Sequence, residues 1–153
     1  SVFQTHLKTS DLFTAEQSKK DEEAWSLTYE AVTAEARYTA NDGCVSSLEI
    51  SFAIPLAYEG KAGNQIEKYL KKHSTAQTGE APDAVRAMLS DLLPACDAQS
   101  RISVTTARYW AKQALLLKKD GADYEDTQSG CRFIAYRTDR DGRDLLVCTM
   151  TFN

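Results

Sequence analysis

From Leu48 to Leu56 every second residue is large and apolar: Leu48, Ile50, Phe52, Ile54 and Leu56, with Cys44 in phase upstream. A period of two places these side chains on one face of a β-strand. "NDG" at 41–43 precedes the run and reads as a three-residue hairpin loop, with Gly43 taking positive φ. Residues 25–39 fit two templates. As a strand they put Val32, Ala34, Ala36 and Tyr38 together; as a helix they align Trp25, Tyr29, Val32 and Ala36. The strand, which gives the alternating run a hairpin partner, is preferred.

The period then changes to that of a helix. "NQIEKYLKKH" carries Asn64 as N-cap and Glu67 three residues on, with Ile66, Tyr69, Leu70 and His73 on one face. "PDAVRAMLSDLLP" begins with Pro82 at a first-turn position, aligns Val85, Met88, Leu89, Leu92 and Leu93, and is expected to stop at Pro94. Ala107, Trp110, Ala114 and Leu117 recur at helical spacing, which predicts a third helix over about 105–119, ended by Lys118, Lys119 and Gly121. "ADYEDTQSG" reads as a loop.

The chain closes on a second hairpin. With "DRDG" (139–142) as its loop, Cys131, Phe133, Ala135, Leu146, Cys148, Met150 and Phe152 share one apolar face. Cys131 then faces Met150, and Phe133 faces Cys148. The two cysteines are diagonal neighbours about 7–8 Å apart, beyond the roughly 4.4–6.8 Å that a disulfide spans, and a two-residue "DG" loop separates them further. Disulfides from this hairpin are therefore expected to run to Cys44 and Cys96. Four cysteines allow three pairings, and the sequence does not choose among them. The alternative is four reduced, buried thiols.

At the other end, "SVFQTHL" is a short start. Thr14 and Gln17 have capping-box spacing before "AEQSKKDEEAW", which reads as a polar helix or an arm over residues 1–24. The order expected is thus a polar N-terminal arm or helix followed by ββ-ααα-ββ. That is one α+β domain over residues 1–153, with an antiparallel sheet from two hairpins packed against helices. A chain of 153 residues with 42% hydrophobic and 26% charged residues suits a single globular domain.

Charge narrows the partners. The net charge is −4, and residues 11–36 hold seven acids against two bases, so nucleic acid is excluded as a partner and a protein bearing basic charge is favoured. No apolar run approaches the roughly 20 residues of a membrane-spanning helix. The initial Ser1 without methionine and the even cysteine count lead to the expectation of an exported protein, periplasmic or extracellular after removal of a signal peptide.

Candidate chemistry is sparse. Neither a nucleophile elbow nor a phosphate-binding loop is present. His73 beside Ser74 has the elements of a general base, but a histidine near a helix end is ordinarily explained by the helix dipole. The cysteine spacing lacks a zinc pattern. "DRDGRD" has part of a calcium loop without its distant glutamate, and reads as a charged turn. Tyr109, Trp110 and Leu115–Leu117 read as core. No cofactor, metal or catalytic residue is expected.

The binding candidates are loop residues that combine tyrosine with charge: Tyr58, Glu59 and Lys61; Tyr124, Glu125 and Asp126; and Asp139 with Arg140. The function expected is a non-enzymatic protein-binding or inhibitory domain, of the immunity or enzyme-inhibitor kind, that occludes a partner. The alternatives are a small-molecule or lipid carrier with a cavity between sheet and helices, and a small hydrolase.

Overall fold

A computed structural model of the chain describes residues 2–29, 32–53, 81–118 and 120–152. The expected helix over 64–73, with His73, and the tyrosine-bearing loop at 57–64 lie outside these residues, as do Ile54 and Leu56 of the alternating run.

The described elements are α1 (Val2–Thr9), β1 (Thr14–Gln17), β2 (Ala24–Tyr29), β3 (Val32–Asn41), β4 (Cys44–Ala53), α2 (Ala81–Cys96), α3 (Val104–Leu115), β5 (Tyr124–Gln128), β6 (Cys131–Arg140) and β7 (Arg143–Phe152). The seven strands form one sheet in the order β1-β2-β3-β4-β7-β6-β5, with every neighbouring pair antiparallel. Three helices pack against one side of it. The protein is α+β, as its two apolar hairpins imply.

The hairpins close through tight turns. Asp42–Gly43 and Asp141–Gly142 both take positive φ, 53° and 80° in the first and 52° and 76° in the second. Asn41 therefore pairs directly with Cys44 and Arg140 with Arg143. Two positive φ angles in succession match the right-handed twist of the strands they join. Both loops are two residues long, shorter than the three and four expected. Ser129–Gly130 makes a third turn of the same kind between β5 and β6.

Residues 25–29 and 32–39 are strand, in β2 and β3, and Val32, Ala34, Ala36 and Tyr38 are all buried on one face. Cys44 departs from expectation. Thr39 pairs with Ser47 and Ala40 with Val45, which leaves Ser46 as the extra residue of a β-bulge. The hydroxyls of Ser46 and Ser47 lie 2.9 and 2.7 Å from that of Thr39. The added residue reverses the alternation, so Val45 is buried and Cys44 is exposed.

The N-terminal residues also differ from expectation. Phe3 and Leu7, one turn apart on α1, enter the core together with Phe13. The Phe3 ring meets Tyr38 edge to face at 5.3 Å. Thr14–Gln17, expected to open a helix, is strand β1 instead. Pro94 does not end α2, which runs on to Cys96. The missing N–H costs one hydrogen bond, while Leu92, Leu93 and Cys96 gain a buried setting in that same stretch. The third helix is shorter than expected and is capped by Ser103, whose hydroxyl accepts from Thr106 N.

The core lies between helices and sheet. Trp110 of α3 stacks on Phe133 of β6 at 4.9 Å and 5°, so Trp110, with Leu115, is core as read from the spacing, whereas Tyr109 is exposed and Leu116 and Leu117 are half-buried. Leu48, Ile50 and Phe52 oppose Met150, Cys148 and Leu146 across the β4–β7 pairing, all fully or almost fully buried. Two polar groups are buried with them. Asp144 is ion-paired with Arg137, whose Nη1 also donates to Leu117 O at 3.3 Å. Asp97 shapes the turn between α2 and α3. Its carboxylate accepts from the backbone N–H of Gln99 at 3.2 Å, of Ile102 at 2.8 Å and of Arg101.

All four cysteines are free thiols, so the expected cross-links are not formed. Cys131 pairs with Phe152 and Cys148 with Ala135. The two are thus four residues apart along the ladder, about 13 Å at 3.3 Å per residue. Cys44 has left the core.

Candidate functional site

Strand alternation that buries Trp25, Leu27, Ala34, Ala36, Ile50 and Phe52 on the helix side turns their neighbours outward. Register aligns these outward residues in rows. Ser26 lies opposite Glu35, and Glu35 opposite Ser51; Ala24 lies opposite Arg37, and Arg37 opposite Glu49. The outer face is therefore a polar lattice on β2, β3 and β4. Val147 points to this side between Ser51 and Tyr136 and is nevertheless fully buried.

A hollow of about 470 Å³ occupies this face, lined by Ser18, Ser26, Glu35, Arg37, Glu49 and Arg140. A second hollow of about 210 Å³ adjoins it, shares Glu35, Ser51 and Arg140, and adds Arg143 and Leu145. Arg140 comes from the far end of β6 and meets Glu49 at 3.8 Å.

The charges of the hollow are mostly paired within the protein. Arg37 forms an ion pair with Asp21. The backbone N–H of Glu23 and then Arg37 hold the Asp21 carboxyl below its ordinary value. Glu49 answers Arg140. Glu35 differs: among the described residues it has no ion-pair partner, and it sits between the hydroxyl-bearing Ser26 and Ser51 in adjacent strands. An exposed carboxylate flanked by hydroxyls can accept a cationic N–H donor without breaking an existing pair.

Of the residues expected to bind, Arg140 lines the hollow. Tyr124, Glu125 and Asp126 are not on a loop but on the terminal strand β5, where each has an internal partner. Asp126 accepts from Trp110 Nε1 at 2.8 Å and from Gln128 Nε2 at 3.2 Å, and the indole N–H holds it below the usual aspartate range. Glu125 accepts from Arg132 Nε at 2.6 Å and is lowered by that bond. Tyr124 is pushed up to about 12 by burial first, then by the Asp126 charge and the Tyr109 hydroxyl. Asp139 stands at the end of β6, one residue before Arg140. Tyr58, Glu59 and Lys61 lie outside the described residues.

His6 sits on α1 with its Nε2 2.7 Å from Asp91 Oδ2 of α2, and so ties two helices together. Among the described residues no group of three or more His, Cys, Asp or Glu side chains is placed to hold a metal ion. Sequence reasoning missed Ser26, Glu35, Arg37, Glu49 and Ser51. Their signal is the polar half of the same alternation that identified the strands.

No protein-family model, no curated protein and no solved structure matches this chain.

Proposed function

We propose that this protein is a binding domain that engages a protein partner through the open face of its sheet, with Glu35 receiving a lysine or arginine side chain of the partner. The observation that carries this reading is an asymmetry among the described residues: the three helices lie on one side of the sheet, and the other bears a hollow in which Glu35 has no ion-pair partner. The acidic balance of residues 11–36 adds long-range attraction for a basic partner, which speeds encounter at low salt. An inhibitory role by occlusion is the form of binding this face suits, since its hollow of about 470 Å³ can receive a protruding basic segment. The proposal carries no assignment of compartment, because the expectation of export leaned on cross-links that are not formed here. No helix among the described residues is long and apolar enough to cross a membrane.

The test is selection of displayed random peptides against the purified protein. Enriched peptides should carry lysine or arginine. Their affinity should fall at least tenfold, about 1.4 kcal/mol, in Glu35→Gln, and should weaken as salt is raised. Failure to enrich any peptide, or enrichment indifferent to Glu35→Gln, would overturn the reading.

A further inference from the structure

The two hollows of the open face share Glu35, Ser51 and Arg140, and the smaller one extends to the turn between β6 and β7. Arg140 ends β6 and Arg143 begins β7, on either side of Asp141–Gly142. Register explains how this turn comes to border β3. Glu49 pairs with Thr149, Thr149 pairs with Ile134, and Arg140 lies six residues beyond Ile134. In a flat sheet the backbones of Glu49 and Arg140 would stand about 22 Å apart. An arginine and a glutamate together do not span that gap, yet their charged atoms are 3.8 Å apart. The end of the β6–β7 hairpin is therefore bent back over the outer face. There it forms part of the wall of the smaller hollow, about 210 Å³, which Glu35 also lines.

Two opposite charges on this hollow are left over. Alternation along β7 buries Asp144 and Leu146 on the helix side and turns Arg143 outward, where it is exposed. Among the described residues the side chains of Arg143 and Glu35 have no ion pair, with each other or with any other group, whereas Arg37 is paired with Asp21 and Arg140 with Glu49. Asp141, at the tip of the turn, adds a second carboxylate to the same lining.

We propose that the partner segment is dipolar: Glu35 holds its basic residue, and Arg143 holds an acidic residue a few positions away. This rests on the reading of the open face as a protein-binding site and adds an acidic requirement to it. A guanidinium offers a carboxylate two parallel N–H donors, and neither contact breaks a pair that the protein already has. Leu145, half-buried in the lining, supplies apolar contact in the same hollow. Solvated pairs each contribute little affinity, but two of opposite sign at fixed places set the direction in which the segment lies.

Displayed random peptides are selected on the parent protein, and an enriched sequence is synthesised for binding measurements. Enriched sequences should carry an acidic residue close to the basic one. Arg143→Gln should weaken the synthetic peptide about fivefold, and Arg143→Lys should recover part of that loss. The same peptide with its acidic residue changed to the amide should bind the parent and Arg143→Gln equally. Asp141→Asn must not weaken binding, since weaker binding would put the peptide's cation at the turn and overturn the proposal. Arg143 is exposed and has no internal bond to lose, so its variants should keep the parent's urea midpoint. Enriched peptides without acidic residues, or an acidic residue that contributes equally with and without Arg143, would also overturn it. If Glu35→Gln still weakens those peptides, the basic contact stands without the acidic one; if it does not, both readings fall.

Discussion

The two faces of the sheet use polar groups in opposite ways. On the helix side each buried charge is fully engaged: Asp144 with Arg137, and Asp97 with three backbone N–H groups and Arg101. On the open side, Arg37 and Glu49 hold solvated pairs, and among the described residues Glu35 has none. Low dielectric makes an unpaired inner charge intolerable, whereas water makes an unpaired outer charge nearly free. Charge on the inner face therefore serves the fold, and charge on the outer face is available for a partner.

The largest expected effect comes from breaking an inner pair. Arg137→Met leaves Asp144 buried without its counter-charge, and stability should fall by about 3–5 kcal/mol in urea denaturation. Adding Asp144→Leu removes the orphaned charge and should recover most of that loss. If the double variant is as unstable as the single one, the pair matters for packing and not for its charge.

Asp97→Asn is the next step down. The amide keeps one acceptor oxygen and the size of the side chain, but loses the charge and the second oxygen that serve Arg101 and the turn. A loss of about 2–3 kcal/mol is expected, because a buried N–H left without an acceptor bears its full desolvation cost. Hydrogen exchange of the Ile102 amide should quicken with it; an unchanged amide would show that another acceptor takes over.

How far these roles can be read from the chain depends on the kind of element. β3 and β4 were legible because apolar residues alternate, from Val32 to Tyr38 and from Leu48 to Phe52, and α2 and α3 because their apolar stripes are long. β1 and β5 were not. "TAEQ" and "YEDTQ" are short terminal strands with one covered face at most, so they carry almost no alternation. α1 shows only Phe3 and Leu7 at helical spacing, too little in eight residues to stand out. The bulge at Ser46 leaves no mark in the pattern, yet it decides that Cys44 faces water. The outer site was half visible. Glu35, Arg37, Glu49 and Ser51 occupy the polar phase of readable strands, but their meeting with Arg140 depends on the β4–β7 pairing, which joins distant parts of the chain.

A smaller effect tests the boundary between the faces. Trp110 Nε1 donates from the core to Asp126, whose carboxyl is held below 3.8 chiefly by that bond. Such a group stabilises the fold above its unfolded value and loses that contribution as pH falls through its lower folded value. Trp110→Phe should therefore cost about 1 kcal/mol through the lost hydrogen bond at pH 7, in addition to lost indole packing. The gap between variant and parent should narrow below pH 3.8, leaving the packing part. A gap that stays constant from pH 7 to pH 2.5 would mean that the hydrogen bond contributes nothing.

The smallest effect on stability belongs to Glu35→Gln, and there the comparison becomes sharpest. Glu35 is exposed and has no ion pair among the described residues, and glutamine keeps its length and its place in the β3 ladder, so stability should stay within about 0.5 kcal/mol of the parent. The same change removes the carboxylate of the hollow that has no ion pair among the described residues. Arg37→Gln, made in parallel, frees Asp21 and should strengthen binding of a basic peptide, because a second unpaired carboxylate then borders the hollow. Opposite shifts in affinity from two replacements that leave the fold equally stable are what a cation-binding face requires. If both replacements weaken binding equally, shape and not charge selects the partner.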